Sequence, residues 1–224
     1  RSPIDGGLSG DSNVVLGLPT FLSNSGNLAT DGIDLSVSYG HTFNEVDWNM
    51  TFNGNWTNKS TFQATTGVST NRDCVGLYSA NCGASLWSIQ PRVSWNMRNT
   101  FTYKQFDVSL LWRHLSGSSF EFADDPDQVL YVGELIGNRG PVPEGLDGTY
   151  DFNKIDAYDY FDLSLRYNIF DNLSVTGTVS NLFNKAAPVV GNDAGTTAQN
   201  NGNTYPSTYD AVGRRYGINL RVSF

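Results

Sequence analysis

Two cysteines, two histidines and a cluster of aspartates are where chemistry could start in this 224-residue chain. Cys74 and Cys82 have seven residues between them in a stretch with Gly, Ser and Asn, and His41 and His114 are distant in sequence. Structural zinc sites take about four ligands, so two thiolates alone make a poor one. A disulfide closing a surface loop in an oxidising compartment fits the pair better, with two free thiols as the alternative. Asp124, Asp125 and Asp127 offer oxygens to calcium, but Pro126 interrupts them and the alternate-position order of a calcium loop is missing. A solvated acidic loop is the expectation there, and no metal or cofactor is expected elsewhere. Nucleophilic hydrolysis needs a base beside a nucleophile. Each His lies on the apolar side of its segment, away from the serines, so an enzyme is not expected.

Other candidates are recognition groups. Tyr78, Trp87, Tyr131, Tyr150, Tyr205 and Tyr209 lie on or beside long polar segments. Such rings could stack on sugars or grip a chelate, and local packing is the other use for them. The net charge is −8, and Glu121 to Asp151 carries eight acidic residues against one Arg. Phosphate binding needs a basic face, so nucleic acid is excluded as a partner. The acidic, Asn-rich, aromatic loops lean toward neutral oligosaccharides or cationic ligands rather than strongly anionic chelates.

The elements that carry these residues follow a period of two. From Ile33 to Phe43 the odd positions are Ile, Leu, Val, Tyr, His and Phe, with Asp34, Ser36, Ser38, Gly40 and Thr42 between them. The same alternation runs through Val46–Trp56, Ile89–Phe101, Phe106–Arg113, Phe161–Ile169, Leu173–Ser180 and Val212–Phe224. That makes seven strands. An eighth, weaker candidate covers 14–22, where Pro19 demotes it. Charged residues make up 16% of the chain and mean hydropathy is −0.33, yet no apolar run is long enough for a membrane helix.

Three features decide what the apolar face meets. Aromatics recur near strand ends (Tyr39, Phe43, Trp48, Trp56, Phe101, Tyr103, Phe106, Trp112, Tyr167, Phe170), as in interfacial girdles. The polar face is Ser, Thr, Asn and Gly with scattered Arg and Asp, and almost no Lys or Glu. Connections alternate between tight turns (44–45, 104–105, 171–172) and long loops (59–87, 123–154, 184–210), the pattern of outer-membrane barrels. Soluble domains seldom hold such loops. The sequence predicts an all-β antiparallel membrane barrel wall, with long loops and the Cys74–Cys82 segment extracellular and the C-terminus periplasmic. Asn49, Asn55, Asn58 and Asn172 match the glycosylation triplet. Asn49 and Asn55 fall inside strands and Asn172 in a tight turn, which favours a bacterial envelope protein over a glycosylated secreted one.

Particular motifs carry a family resemblance. The segment Gly213-Arg-Arg-Tyr-Gly-Ile-Asn-Leu-Arg-Val-Ser-Phe224 resembles the closing strand of TonB-dependent outer-membrane receptors. Val179-Ser-Asn-Leu-Phe-Asn-Lys185 is similar to that family's penultimate-strand signature, with Asn184 where Asp is usual. Asp31-Gly-Ile-Asp-Leu35 is similar to an upstream strand start that more often has Glu at the position of Asp34.

The resemblance implies a barrel of about 22 strands plugged by an N-terminal domain, importing scarce nutrients such as chelated metals or oligosaccharides. This chain then supplies seven to eight C-terminal strands over 28–224, with 1–27 an extracellular loop and weak strand, and no plug. It implies that lumen-facing Arg92, Arg98, Arg113, Arg166, Arg215 and Arg221, with Asp34, Asp47, Asp107 and Asp162, hold the plug through paired charges. Hydrated wall residues without a specific role are the alternative. Arg215, Gly217, Leu220, Val222 and Phe224 resemble the signal read by the barrel-assembly machinery. Implied partners are the N-terminal strands and plug, the inner-membrane energy-coupling protein, outer-membrane lipid, and a surface lipoprotein or co-receptor. Two other architectures stay open at this point: a stand-alone eight-stranded barrel acting as a pore or adhesin, and a secreted sugar-binding β-sandwich.

Overall fold

A computed structural model describes residues 26–63, 72–79, 82, 89–124, 126–127, 132–134, 149–190 and 204–223. The candidate strand at 14–22, Trp87, Tyr131, Asp125 and Phe224 lie outside them. Seven long strands form one antiparallel meander in chain order: β1 (Asn27–Phe43), β2 (Val46–Gln63), β5 (Val93–Tyr103), β6 (Phe106–Leu115), β11 (Tyr158–Phe170), β12 (Leu173–Ser180) and β13 (Arg215–Val222). The short elements are β3 (Arg72–Asp73), β4 (Leu77–Tyr78), β7 (Ser118–Phe120), β8 (Val132–Glu134), β9 (Thr149–Asp151) and β10 (Lys154–Ile155). All seven predicted strands form, and the turns fall where expected.

Local chemistry sets the ends. Asn44 and Lys104 take a left-handed backbone (φ 53°) inside the two-residue hairpin loops. The register of β1 on β2 shifts between Asp31 and Gly32, and a Cβ on Gly32 would stand 2.4 Å from the Trp56 carbonyl oxygen, so only glycine fits this bulge. Two predicted strands began too early. Ile89 is a buried loop residue and Arg92 precedes β5, while Val212 precedes β13. In both places the apolar spacing happens to continue the period past the point where pairing stops.

Register carries the two faces across the sheet. Tyr103, Phe106 and Tyr167 align at the short-turn end, and Trp95, His114 and Asp159 align toward the loop end. The rise from Phe106 to His114 along β6 is roughly 26 Å, or about 20 Å of height at a tilt of roughly 40°. That approaches the apolar band of an outer-membrane barrel. No second sheet covers this face among the described residues: Ile218 is 83% exposed and Tyr216 73%. A β-sandwich is therefore overturned, because a sandwich buries its apolar face. The outer edges of β1 and β13 are unpaired among the described residues, so the sheet is open rather than closed into a small barrel.

Conventional burial is found elsewhere. Tyr78, Ile89, Phe120, Ile155, Tyr160, Val190, Tyr205 and Tyr209 form one apolar cluster, drawn almost entirely from the long loops. A small sheet in the order β10-β7-β4 lies under it, with β4 parallel to β7. The loops are thus packed into a cap at one end of the wall.

Candidate functional site

The polar face of the wall reads as rows in register. Toward the short turns stand Thr42, Asp47, Thr102, Asp107, Arg166, Thr176 and Asn219, with Asn168, Ser174 and Arg221 beyond them on the last three strands. The next row, Gly40, Asn49, Thr100, Ser109, Ser164, Thr178 and Gly217, is uncharged throughout. Arg98, Leu111 and Asp162 follow in register, and Ser180 stands opposite Arg215 on the last two strands. Nearer the cap come Ser36, Asn53, Asn96, Arg113 and Tyr160, and beyond them Asp34, Asn55 and Ser94.

Most charges predicted to face a plug have partners inside the wall. Asp34 accepts from Asn55 Nδ2 at 2.7 Å, Asp47 from Thr42 at 2.6 Å and Asp107 from Thr102 at 2.7 Å. Arg98 Nη1 donates to Ser109 Oγ at 3.0 Å, and Arg166 lies 4.0 Å from Asp107. Arg92 and Arg221 are exposed and make no ion pair among the described residues.

Arg113 is the hub at the cap end. Its Nε and Nη2 donate to the two oxygens of Asp162 at 2.9 and 3.2 Å, and Nη2 also reaches Asp210 Oδ2 at 2.8 Å. The guanidinium lies over the Tyr160 ring, 5.0 Å from its centroid. A planar fork suits this bidentate geometry, which a lysine could not reproduce. Asp210 closes the network: Arg215 approaches its other oxygen at 3.8 Å, and its backbone N–H donates to the Tyr160 hydroxyl at 3.3 Å. Loop 204–210 is thereby tied onto the polar face. Sequence reasoning found Arg113, Asp162 and Arg215 but missed Asp210, which belongs to no run and has no spacing to mark it.

Asn181 was missed as well, although it sits in a quoted motif. It is 1% exposed with φ 53°, and its side-chain amide bonds both the N–H and the carbonyl of Lys185 at 2.8 Å. Its own N–H donates to Asp162. Asn184 Oδ1 accepts the Arg214 N–H at 3.0 Å and crowds Gly213, whose φ is 77°. The motif is a turn clamp joining β12 to the start of β13.

In the cap, Cys74 and Cys82 are joined as a disulfide with Cα atoms 5.4 Å apart. Glu121 pairs with Arg72 and accepts from Ser79 Oγ at 2.5 Å, tying β3 and β4 to the end of β7. The expectation that Tyr78, Tyr205 and Tyr209 offer faces to a ligand is corrected. They are 1%, 0% and 2% exposed, and Tyr78 packs on Phe120 and Tyr205 while its hydroxyl donates to the Phe152 carbonyl. Burial pushes the Tyr205 phenol up to about 12, and raises Tyr78 and Tyr209 further. Tyr150 lies on β9. Asp124 and Asp127 are exposed, and no group of metal-ligating side chains occurs among the described residues.

On the apolar face, His41 packs edge-on against Phe43 near the short-turn end. His114 stacks on Trp95, with Nδ1 2.9 Å from Asp159 Oδ1, and the Trp112 indole donates to the same oxygen at 2.7 Å. The period of two anticipated the placement of both histidines, whereas Asp159 was missed.

The family model of the TonB-dependent receptor-like β-barrel matches residues 2–182. The chain belongs to that family. Among solved structures, the TonB-dependent barrel resembles the ferric enterobactin receptor PfeA of Pseudomonas aeruginosa, in a mutant bound to enterobactin. That match has 16% identity and a TM-score of 0.50, covering 88% of this chain and 23% of that one. It also resembles the siderophore receptor PirA of Acinetobacter baumannii at 16% identity and a TM-score of 0.43, covering 84% of this chain and 21% of PirA. At 16% identity the likeness to PfeA speaks for the fold alone. The chain spans under a quarter of the length of these receptors. No curated protein matches its sequence. TonB-dependent barrels are receptors and transporters rather than enzymes, and members of the family reside in the outer membrane.

Proposed function

We propose that this chain forms wall and loop cap of an active outer-membrane importer for a scarce nutrient, driven from the inner membrane. The observation that carries the reading is the seven-strand meander with an outward apolar band and a polar inner face, in a chain of this family. The exposed edges of β1 and β13 pair with N-terminal strands of the same receptor, closing a barrel of about 22 strands around a plug. Short turns face the periplasm, where the C-terminus ends, and the cap with its disulfide faces the cell exterior. Arg92, Arg98 and Arg221, whose charges are not met by wall carboxylates among the described residues, are the wall's contribution to plug contact. The plug in turn engages the inner-membrane energy-coupling protein. Arg215, Gly217, Leu220 and Val222 on β13, with Phe224, address the chain to the barrel-assembly machinery. The cap is the surface offered to ligand and to a surface lipoprotein or co-receptor.

Uptake by cells expressing the full-length receptor tests this, with a radiolabelled ferric catecholate and radiolabelled maltohexaose as probes. Uptake of one of them is expected to need both the receptor and the energy-coupling protein. Uptake that persists without the coupling protein would identify a passive pore and overturn the reading.

A further inference from the structure

The wall beneath the cap holds a niche of a distinct chemistry. Two adjacent rows cross β1, β2 and β5 on the polar face: Ser36, Asn53 and Asn96, then Asp34, Asn55 and Ser94. They line a cavity of about 420 Å³, closed on one side by Arg113 and Tyr160 and overhung by Thr208 of the latched loop. Three carboxamides, two hydroxyls and one carboxylate therefore converge on one concave patch. Cross-strand neighbours on one face stand about 5 Å apart, so these groups form a grid of hydrogen-bonding positions.

The hydrogen bonds within the grid leave capacity facing the cavity. Ser36 Oγ donates to Asn53 Oδ1 at 2.9 Å, which fixes the Asn53 amide and leaves its Nδ2 donors unassigned. Asn55 donates to one oxygen of Asp34 and accepts from Thr57, so Asp34 keeps its second oxygen as an acceptor. Asn96 is exposed and Ser94 half-buried, and both retain their full side-chain capacity among the described residues. Carboxamides both donate and accept, which matches a hydroxyl, itself both donor and acceptor. Meanwhile Arg113 is neutralised by Asp162 and Asp210, so the niche presents no free cation and one partly free carboxylate. Among its lining residues an anionic chelate finds no countercharge; the exposed Arg98, which makes no ion pair among the described residues, stands one row away toward the short turns. An apolar ligand would strip water from amides without replacing their bonds.

We propose that this niche binds a sugar unit of a neutral glycan, held by Asn53, Asn96 and the free oxygen of Asp34 on the lumen wall below the cap. The inference rests on the importer reading and names the class of its substrate.

The test is calorimetric binding to the full-length receptor in a detergent without a sugar headgroup. Maltohexaose, cellohexaose and xylohexaose serve as neutral probes and a ferric catecholate as the anionic one. At least one hexaose is expected to bind, with affinity falling ten-fold or more in Asn96→Ala and in Asn53→Ala. Asn219→Ala, on the same face at the far end, is expected to bind as the native receptor does. Asn96 is exposed, so its truncation leaves the fold intact, and retention of the unheated gel mobility of the barrel confirms that in each variant. If no hexaose binds, or if binding is unchanged in both niche variants, the proposal is overturned. If the ferric catecholate alone binds and is taken up with coupling energy, the glycan niche fails while the importer reading survives. Loss of coupling dependence would instead sink the importer reading itself.

Discussion

The wall and the cap obey opposite rules. In the wall the large apolar side chains point out, with Ile33, Phe170, Tyr216, Ile218 and Leu220 each more than 60% exposed, while polar groups carry the inner hydrogen bonds. In the cap Tyr78, Tyr205 and Val190 are all but inaccessible, and a few polar residues such as Ser79 and Thr204 are buried with them. One chain of 224 residues thus contains a membrane protein's inverted surface and a soluble protein's core, joined through Tyr160 and Arg113. The difference teaches where stability comes from in each. The cap is held by dense apolar packing and a disulfide. The wall is held by ladder hydrogen bonds and by lipid, which acts as solvent for its apolar face.

Substitutions can break this contrast, beginning with the largest effect. Truncating Tyr78 to Ala leaves a cavity in the cap and is expected to cost about 3–5 kcal/mol of cap stability. Ile218→Ala, facing lipid with no cavity to create, is expected to cost well under half as much. Proteolysis of the loops reads the first and urea unfolding in lipid vesicles the second. Next comes charge: Leu110→Arg, mid-band on the apolar face, is expected to cost about 2–4 kcal/mol in vesicles, whereas Thr100→Arg on the polar face costs close to nothing. Equal costs would show that the faces have been assigned wrongly.

Opening the Cys74–Cys82 bridge by the double change to Ser is expected to destabilise the cap by about 2 kcal/mol, as suits a short loop. Loop proteolysis should quicken while the folded-barrel gel mobility of the wall stays unchanged. The pH response that sharpens the contrast lies in alkali. Tyr205 is neutral in the folded cap up to about 12, against an ordinary value near 10. A raised folded-state value means the contribution is complete below about pH 10 and is lost as pH rises from there through 12. Tyrosine ionisation followed by absorbance is expected to lag in the native protein and to appear together with cap opening, while strand content persists.

The wall was legible in the sequence because its period survives in every strand. A sheet with lipid on one side and water on the other enforces alternation, and Ile33 to Phe43 shows it plainly, while Phe106 to Trp112 lapses once, at Leu111 on the polar side. Legibility stopped where the bilayer stops. The strand β2 continues to Gln63, past the long-loop start expected at Lys59, since its outer end pairs with β1 and β3 and needs no apolar stripe. Ile89 looked like a strand residue and is instead cap core. The cap itself was illegible because Tyr78, Phe120, Ile155 and Tyr205 come together from three long connections, on strands of two or three residues or on none, too short for any period. Of the site, charges within runs could be placed on a face from sequence, but their partners could not. Arg113 was visible as a polar-face arginine, while Asp210 and Asn181 gained meaning only once the loop folded back on the wall.

The central claim is that the period-two faces of the wall meet lipid and a water-filled lumen. Single cysteines placed one at a time from Phe106 to Arg113, in the full-length receptor in its outer membrane, test it most directly. Fluorophores at 106, 108 and 110 are expected to be quenched by lipid-embedded quenchers, and those at 107, 109, 111 and 113 by aqueous ones. Aqueous quenching at both parities would contradict the account.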